Sequence, residues 1–356
     1  MLDTFRLGHH DVGVMERIIE AEELDTYRTR CRHIIDARSQ AEYAEDHLPG
    51  AINIPMLDND QRVEIGTSYA VNSFEARKRG AAYALEAIKH FLETDLIRNA
   101  TRKDTMLIYC ARGGQRSGAL SLVLDQIGFP TFRLKRGYKS YRGYVLDYLS
   151  RPLPGRVVIL YGYTGSAKTR ILLDLHHRFN ILDLEGCASH RGSLLGDLPG
   201  QPQPNQRLFE TRLVEAIRGF DPAKPTLIEG ESRNIGKVSV PNGIWDQMQT
   251  GHQVWLELPL SERVNHILSG YHELKDTAFL EERLSRLGRY LSADRLAELR
   301  DDLAAQAWPA FVEKLLTWHY DPLYAREKAR RSETIRADNY AAALRSVGDL
   351  SPVADT

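Results

Sequence analysis

Hydrophobic and polar positions fall into two successive alternations of short apolar runs with longer helix-period stretches. Arg32–Arg38 (RHIIDAR) and Thr105–Cys110 (TMLIYC) are short, continuous apolar runs, the pattern of strands buried on both faces. Phe74–Leu92 and Ser117–Gln126 carry apolar residues at helical spacing, and Phe132–Leu134 predicts a further short strand. Past residue 155 the alternation restarts. Arg156–Tyr161, Asn180–Leu184, Thr226–Gly230 and Gln253–Leu258 read as strands, with helices over Lys168–Phe179 and Gln206–Phe220. Leu260 to Tyr324 is mostly helical in pattern, and Asn339–Val347 adds one more helical stretch. Strands alternating with helices predict α/β architecture with a parallel sheet in each half.

Between the halves lies Ser150-Arg151-Pro152-Leu153-Pro154-Gly155, where two prolines stop helix and central strand alike. The expected organisation is therefore a domain over 1–149, a linker over 150–155, and a second domain over 156–356 that ends in a helical extension. Leu198–Gln206 (LPGQPQPNQ) reads as a long loop. Composition changes this picture little. The 47 Lys and Arg against 48 Asp and Glu leave a net charge of −1, so nucleic acid would have to meet a local basic patch. Three cysteines cannot build a disulfide framework, and a reducing, cytoplasmic setting is expected. The start, MLDTFRLGHHDVG, lacks the apolar core of a signal peptide. No run of about 18 apolar residues occurs, so no membrane span or membrane partner is expected.

The first chemistry-bearing segment is Cys110-Ala111-Arg112-Gly113-Gly114-Gln115-Arg116-Ser117, between a strand and a helix. Gly113 and Gly114 let backbone N–H groups converge on one spot, and the helix adds the positive end of its dipole. With Arg112 and Arg116 alongside, Cys110 should be a thiolate near neutral pH, in a cradle able to hold an oxyanion. Asp36, at the end of its strand, is placed to orient this loop through hydrogen bonds. This domain resembles the rhodanese-like superfamily. The resemblance is carried by Asp36-Ala37-Arg38, Glu42-Tyr43, the run His47 to Pro55 (HLPGAINIP), the cysteine loop and Leu134-Lys135-Arg136-Gly137-Tyr138. It implies that Cys110 carries sulfur or selenium as a persulfide-type intermediate. The C-x5-R spacing is one residue longer than in most single-domain rhodaneses. It is similar to that of Cdc25-type phosphatases and arsenate reductases, whose cradle takes a tetrahedral oxyanion, so a phosphate-bearing donor suits it.

The second segment is Gly162-Tyr163-Thr164-Gly165-Ser166-Ala167-Lys168-Thr169, again between strand and helix, the context in which a phosphate-binding loop is credible. Lys168 would meet the terminal phosphate and the Thr169 hydroxyl is placed for a magnesium ion, whose requirement the sequence leaves open. Ala167 stands where the motif has its second glycine. The expected acidic strand end is Thr226–Glu231 (TLIEGE), offering Glu229 and Glu231 but no Asp, which argues against ATP hydrolysis and leaves diphosphate binding open.

Taken over the whole chain, the order and motifs resemble the tRNA 2-selenouridine synthase family. Arg62 to Tyr69 (RVEIGTSY), Leu184 to Ser193 (LEGCASHRGS), Glu229 to Gly236 (EGESRNIG) and Tyr320 to Tyr324 (YDPLY) carry this likeness beside the two loops. The resemblance implies a selenotransferase acting on the wobble uridine in the anticodon region of tRNA. There, 2-thiouridine is S-geranylated by geranyl diphosphate and then converted to 2-selenouridine with selenophosphate. It implies these two co-substrates, no tightly bound cofactor, no protein-held metal, and an enzyme elsewhere that supplies selenophosphate. His190 and Arg191 are expected near the diphosphate and Arg233 on its leaving group. Cys187 and His190 have a C-x2-H spacing with no second ligand pair, which argues against zinc.

For tRNA, Phe132–Tyr144 (FRLKRGYKSYRGY) offers Arg133, Lys135, Arg136, Lys139 and Arg142 with no acid, interleaved with Tyr138, Tyr141 and Tyr144. The same tyrosines fit a domain core equally well. Arg326, Lys328, Arg330 and Arg331 read as a solvated helix face, and the pairs His9-His10 and His176-His177 carry no ligand pattern. Two other readings stay open: a rhodanese-type sulfurtransferase coupled to an ATP-using P-loop domain, and a nucleotide-gated RNA-binding protein without catalysis.

Overall fold

A computed structural model describes residues 17–191, 200–270, 277–329, 331 and 333–350. The chain divides into two compact units between Leu146 and Asp147. His9, His10, Gly192, Ser193, Leu198, Pro199 and Arg330 lie outside the described residues, as does the side chain of Arg326.

The first unit is built on five strands: β1 (Ile18–Ile19), β2 (His33–Asp36), β3 (Ala51–Asn53), β4 (Met106–Tyr109) and β5 (Thr131–Leu134). They form an all-parallel sheet in the order β1-β5-β4-β2-β3. The central β4 is buried along its whole length, as its unbroken apolar run requires. Helices α1 (Leu24–Arg30), α2 (Gln40–Glu45), α3 (Asn59–Val71), α4 (Ser73–Leu92), α5 (Asp95–Arg98) and α6 (Gln115–Ile127) connect them, and α7 (Tyr138–Ser150) follows β5. Ile35, Met106 and Ile108 from the sheet meet Ile88 and Phe91 of α4 and Leu120 and Leu124 of α6 in one core. Asn72 starts α4, its side-chain oxygen accepting the N–H groups of Phe74 and Glu75. Unlike α4, α3 contributes no buried residue.

The second unit begins with β6 (Val157–Gly162), α8 (Lys168–Asp174), β7 (Asn180–Leu182), α9 (Leu184–Ala188), α10 (Gln206–Ile217) and β8 (Thr226–Glu229). An antiparallel pair follows, β9 (Asn234–Ile235) with β10 (Val238–Ser239), then α11 (Asn242–Thr250) and β11 (His252–Glu257). The helical part comprises α12 (Leu260–Gly270), α13 (Thr277–Leu287), α14 (Ala293–Ala304), α15 (Trp308–Leu315), a π-turn over Leu316–Tyr320, and α16 (Asp321–Ala329). The chain then returns as β12 (Glu333–Arg336) and closes with α17 (Tyr340–Gly348). The sheet is parallel throughout in the order β12-β11-β6-β8-β7. The helical part has its own core around Leu284, Leu287, Leu299, Phe311 and Leu316.

The expected class is found: a parallel-sheet domain, then a P-loop-type α/β domain with a helical C-terminal part. The helix expected over Lys168–Phe179 ends at Asp174, and β1, β3, β12 and α3 were not anticipated from periodicity. Among the described residues, no helix is long and apolar enough to cross a membrane.

Candidate active sites

Each unit carries one site at the carboxyl end of a central strand, where loops of an open parallel sheet form a crevice. In the first unit, Cys110 directly follows β4 and is 3% exposed. The loop above it is shaped from the other side by the turn after β5. Tyr138 and Lys139 donate their backbone N–H groups to the carbonyls of Cys110 (2.8 Å) and Ala111 (3.1 Å). Gly137 permits this closeness: its φ is +56°, and a Cβ there would lie 1.9 Å from the Cys110 carbonyl oxygen.

The Cys110 sulfur accepts a hydrogen bond from the Ser117 hydroxyl at 3.2 Å. Burial pushes the thiol up. The Ser117 hydroxyl and backbone N–H, the Arg116 charge and the Arg112 backbone N–H outweigh that burial and bring it below its ordinary value. Ser117, expected only as the start of a helix, is thus the side chain that hydrogen-bonds the cysteine, a contact that spacing alone does not reveal. Arg116 is tied to Glu42 at 2.7 Å, and Arg62 of α3 lies 3.7 Å from the same carboxylate. Asp36, expected to orient the cysteine loop, is instead taken up by Arg38, which grips its carboxylate at 2.6–3.0 Å and also donates to the Asp46 carbonyl. The Arg38 guanidinium lies 3.9 Å from the Tyr138 ring centre, so Asp36 supports the site through Arg38 and the start of α7.

Above Cys110 opens a cavity of about 1190 Å³. Gly113, Gly114, Arg112 and Arg116 line one side, and Ile65, Tyr69 and Ala84 of α3 and α4 the other. Among the described residues, five arginines line it (Arg62, Arg77, Arg112, Arg116 and Arg133) and no carboxylate does.

The basic stretch after Phe132 separates. Arg133 reaches this cavity, Lys135 pairs with Glu20, and Arg142 lies 4.0 Å from buried Asp46. Arg136 and Lys139 are exposed. Tyr138 and Tyr141 are buried, so these two of the tyrosines offered for base stacking serve packing instead, while the half-buried Tyr144 donates to Asp25.

In the second unit, residues 162–169 wrap the carboxyl end of β6. Gly165 has φ +81°, and a Cβ would lie 2.8 Å from Ile267. Ala167 is itself left-handed, with φ +58° and ψ +25°, the backbone that the usual glycine would adopt freely. Lys168 Nζ rests on the Gly162 carbonyl at 3.2 Å, and Ser166 donates to the Tyr163 carbonyl at 2.6 Å. Thr169 donates to Glu185 at 3.3 Å. Glu185, Glu229 and Glu231 converge here. Burial raises all three. Repulsion by Glu229 and Glu231 adds to this for Glu185, and repulsion by Asp183 and Glu231 for Glu229, which is pushed up to about 8. The surroundings of Lys168 follow from the same cluster: burial lowers it, and the charges of Glu231, Tyr324, Glu185 and Glu229 raise it by more.

A small polar cavity of about 60 Å³ lies on the loop, lined by Thr164, Lys168, Thr169, Arg191, His266 and Tyr324 among others. Tyr324 and His266 were not expected there; they come from the helical part, whose helices periodicity alone does not dock. Arg263 of α12 links the two: it forms a two-pronged pair with Asp321 at 2.8 Å and donates to the Thr164 carbonyl at 3.3 Å.

Other expected residues lie elsewhere. His190 is buried and outside the lining of this cavity. Arg233 is exposed, hydrogen-bonded to Asn242, and also outside the lining. Burial and then Asp183 push the Cys187 thiol up to about 12. Two members of the expected solvated cluster turn inward. Lys328 binds Glu257 at 2.6 Å, and the Arg331 guanidinium sits 3.6 Å from the Tyr161 ring centre.

Among the described residues no ready-made cluster of His, Cys, Asp or Glu ligands stands out. The donors at the loop are nonetheless hard oxygens, and Glu229 Oε1 is buried without a hydrogen-bond partner. That set fits a magnesium ion held jointly by Thr169, one carboxylate and phosphate oxygens.

Comparison with known proteins agrees with this two-part arrangement. Residues 20–144 match the rhodanese-like domain family, and residues 155–349 match the tRNA 2-selenouridine synthase AAA domain. The chain is 28% identical to the tRNA 2-selenouridine synthase of Nitrosomonas europaea, over 84% of this chain and 89% of that protein. It is 31% identical to that of Aeromonas salmonicida (85% and 89% covered) and 32% to that of Cupriavidus necator (85% and 90%). With one matching model spanning more than half the chain and relatives above 30% identity along nearly their full length, the chain belongs to the tRNA 2-selenouridine synthase family.

Proposed function

We propose that this tRNA-modifying enzyme replaces the sulfur of a wobble 2-thiouridine with selenium in two steps, one in each unit. In the second unit the sulfur is alkylated by geranyl diphosphate; in the first, the selenium of selenophosphate adds to C2 of the base, the alkylated sulfur leaves as geranylthiolate, and water takes the phosphoryl group as phosphate. The order follows from leaving-group chemistry, since a thione sulfur leaves poorly and an alkylated one departs as a thiolate. The observation that carries the reading is a Cys110 thiol lowered by Ser117, Arg116 and backbone N–H groups at the floor of a cavity lined by arginine. An oxyanion donor would sit on the Gly113–Gly114 backbone and Arg112, with Arg116 released from Glu42 to meet it.

At the other site, Lys168 and the backbone of 162–169 would neutralise the diphosphate as it leaves. Magnesium, if bound through Thr169 and Glu229, would supply further charge neutralisation there. The cavity on this loop is small and polar, which suits the diphosphate; the hydrocarbon chain has to lie beyond it.

The test is mass spectrometry of nucleosides from thiouridine-bearing tRNA incubated with the protein, geranyl diphosphate and selenophosphate. A geranylated nucleoside followed by 2-selenouridine is expected. Cys110→Ser should stop at the geranylated nucleoside and Lys168→Met before it. Unchanged thiouridine with active co-substrates, or full turnover by Cys110→Ser, sinks the reading.

A further inference from the structure

The cavity over Cys110 is far larger than a phosphate-sized donor requires. Its volume of about 1190 Å³ exceeds the 300–1,000 Å³ typical of sites that enclose a drug-sized molecule. Its extra wall comes from α3 and α4. Helix α3 has no fully buried residue; it lies against α4, with Ile65 beside Gly80, and turns Ile65 and Tyr69 to the cavity. Tyr69, which lines the cavity, is 47% exposed. Arg77 donates to the Tyr69 hydroxyl at 3.0 Å, and its guanidinium lies over that ring, 5.7 Å from its centre. An exposed aromatic ring and a cation are thus held together in the lining of the chamber that also holds the cysteine. Cations for phosphates and open aromatic faces for bases are what unpaired RNA needs from a protein surface.

We infer that α3 and α4 receive the RNA itself: a nucleotide turned out of a tRNA loop enters the cavity against Tyr69, with flanking phosphates on Arg77 and Arg62. The apolar wall at Ile65 and Ala84 then faces the substituent on the base, and Cys110 lies at the far end. Turning the nucleotide out is needed because the reacting atom of a stacked base is out of reach. This assignment rests on the proposed reaction at Cys110 for its direction, and on the arginine lining and the exposed Tyr69 ring for its surface. It places RNA contact on the α3–α4 layer, away from Tyr138 and Tyr141 of α7, which are buried.

The experiment uses the full chain and the exposed variants Tyr69→Ala, Tyr69→Phe and Arg77→Gln. Thiouridine-bearing tRNA is titrated across a salt series, and the rate of iodoacetamide alkylation of Cys110 without RNA is followed by mass spectrometry. Tyr69→Ala should weaken tRNA binding about tenfold, with Tyr69→Phe close to the parent. Arg77→Gln should weaken it and lower the slope of log affinity against log salt by about 0.7. Alkylation without RNA should be unchanged in all three. Unaltered tRNA affinity and salt slope in Tyr69→Ala and Arg77→Gln would overturn the inference. So would a parallel loss of rapid alkylation, which would make the layer a prop for the cysteine loop. If the parent converts no thiouridine with both co-substrates present, the selenium reading falls, while the tRNA titration still decides the RNA surface.

Discussion

Replacing Ser117 by alanine takes one oxygen from the cysteine cradle and isolates its share of the thiolate. The hydroxyl lies 3.2 Å from Cys110 Sγ and 3.3 Å from the Gly114 carbonyl. It has one proton to give, and an ionised sulfur is the stronger acceptor. A hydrogen bond to a charged group is worth about 1.5–3 kcal/mol, and the low end suits a long contact to sulfur. At about 1.36 kcal/mol per pKa unit, its loss raises the Cys110 thiol by about one unit. The backbone N–H groups of Ser117 and Arg112 and the charge of Arg116 survive the change, so part of the lowering remains. The assay is the rate of iodoacetamide alkylation of the Cys110 peptide against pH. Ser117→Ala should shift the inflection upward by about one unit and slow alkylation below both inflections about tenfold. Cys31 and Cys187, both pushed up chiefly by burial, serve as slow internal references. An inflection at the same pH in parent and variant would refute the reasoning and leave the backbone and Arg116 as the whole cause.

Three further outcomes are expected. Gly137→Ala should lower the thermal midpoint and abolish rapid Cys110 alkylation: the left-handed backbone alone costs about 1–2 kcal/mol, and the added Cβ collides with the Cys110 carbonyl. Burial, then Asp183 and Glu231, push Glu229 up to about 8, so its ionisation adds negative charge facing Lys168. Calorimetry in magnesium-free buffer should show affinity for inorganic diphosphate falling as pH rises through about 8, and Glu229→Gln should flatten that slope. The same raised carboxyl contributes stability that is full below its unfolded value of 4.5 and is lost as pH rises through about 8, which thermal unfolding of parent against Glu229→Gln will register. Asp321→Asn should destabilise by about 1.5–3 kcal/mol in urea unfolding, because it takes a charged partner from buried Arg263.

What could be read from the chain, and what could not, follows the range of each signal. β4, β6 and the loops after them were legible because an unbroken apolar run, glycines and a following helix are local features. α3 escaped because it buries nothing, and a helix without an apolar stripe leaves no period to find. β12 escaped because Glu-Thr-Ile-Arg is short and polar, its place as a parallel edge strand being set by β11. The cysteine was evident from its loop, whereas Ser117 matters through a single hydrogen bond that spacing does not reveal. Arg233 sits near Glu231 in sequence and leaves the site at the turn into β9. Tyr324 and His266 entered the phosphate site from distant helices, which only tertiary docking decides.

The π-turn at Leu316–Tyr320 has a bearing on how the phosphate site can change over generations. Each residue added to or taken from an α-helix turns everything beyond it by about 100°. The widened turn lets one rod send Phe311, Leu315 and Leu316 into the helical core and then, past it, aim Asp321 at Arg263 and Tyr324 at the loop. Point substitutions along the rod touch one contact each. Losing a single codon within the turn would rotate Asp321 and Tyr324 away together. The geometry of the site therefore depends on the length of this rod as well as on its residues, and the count of residues between Trp308 and Tyr324 is part of what positions the binding site.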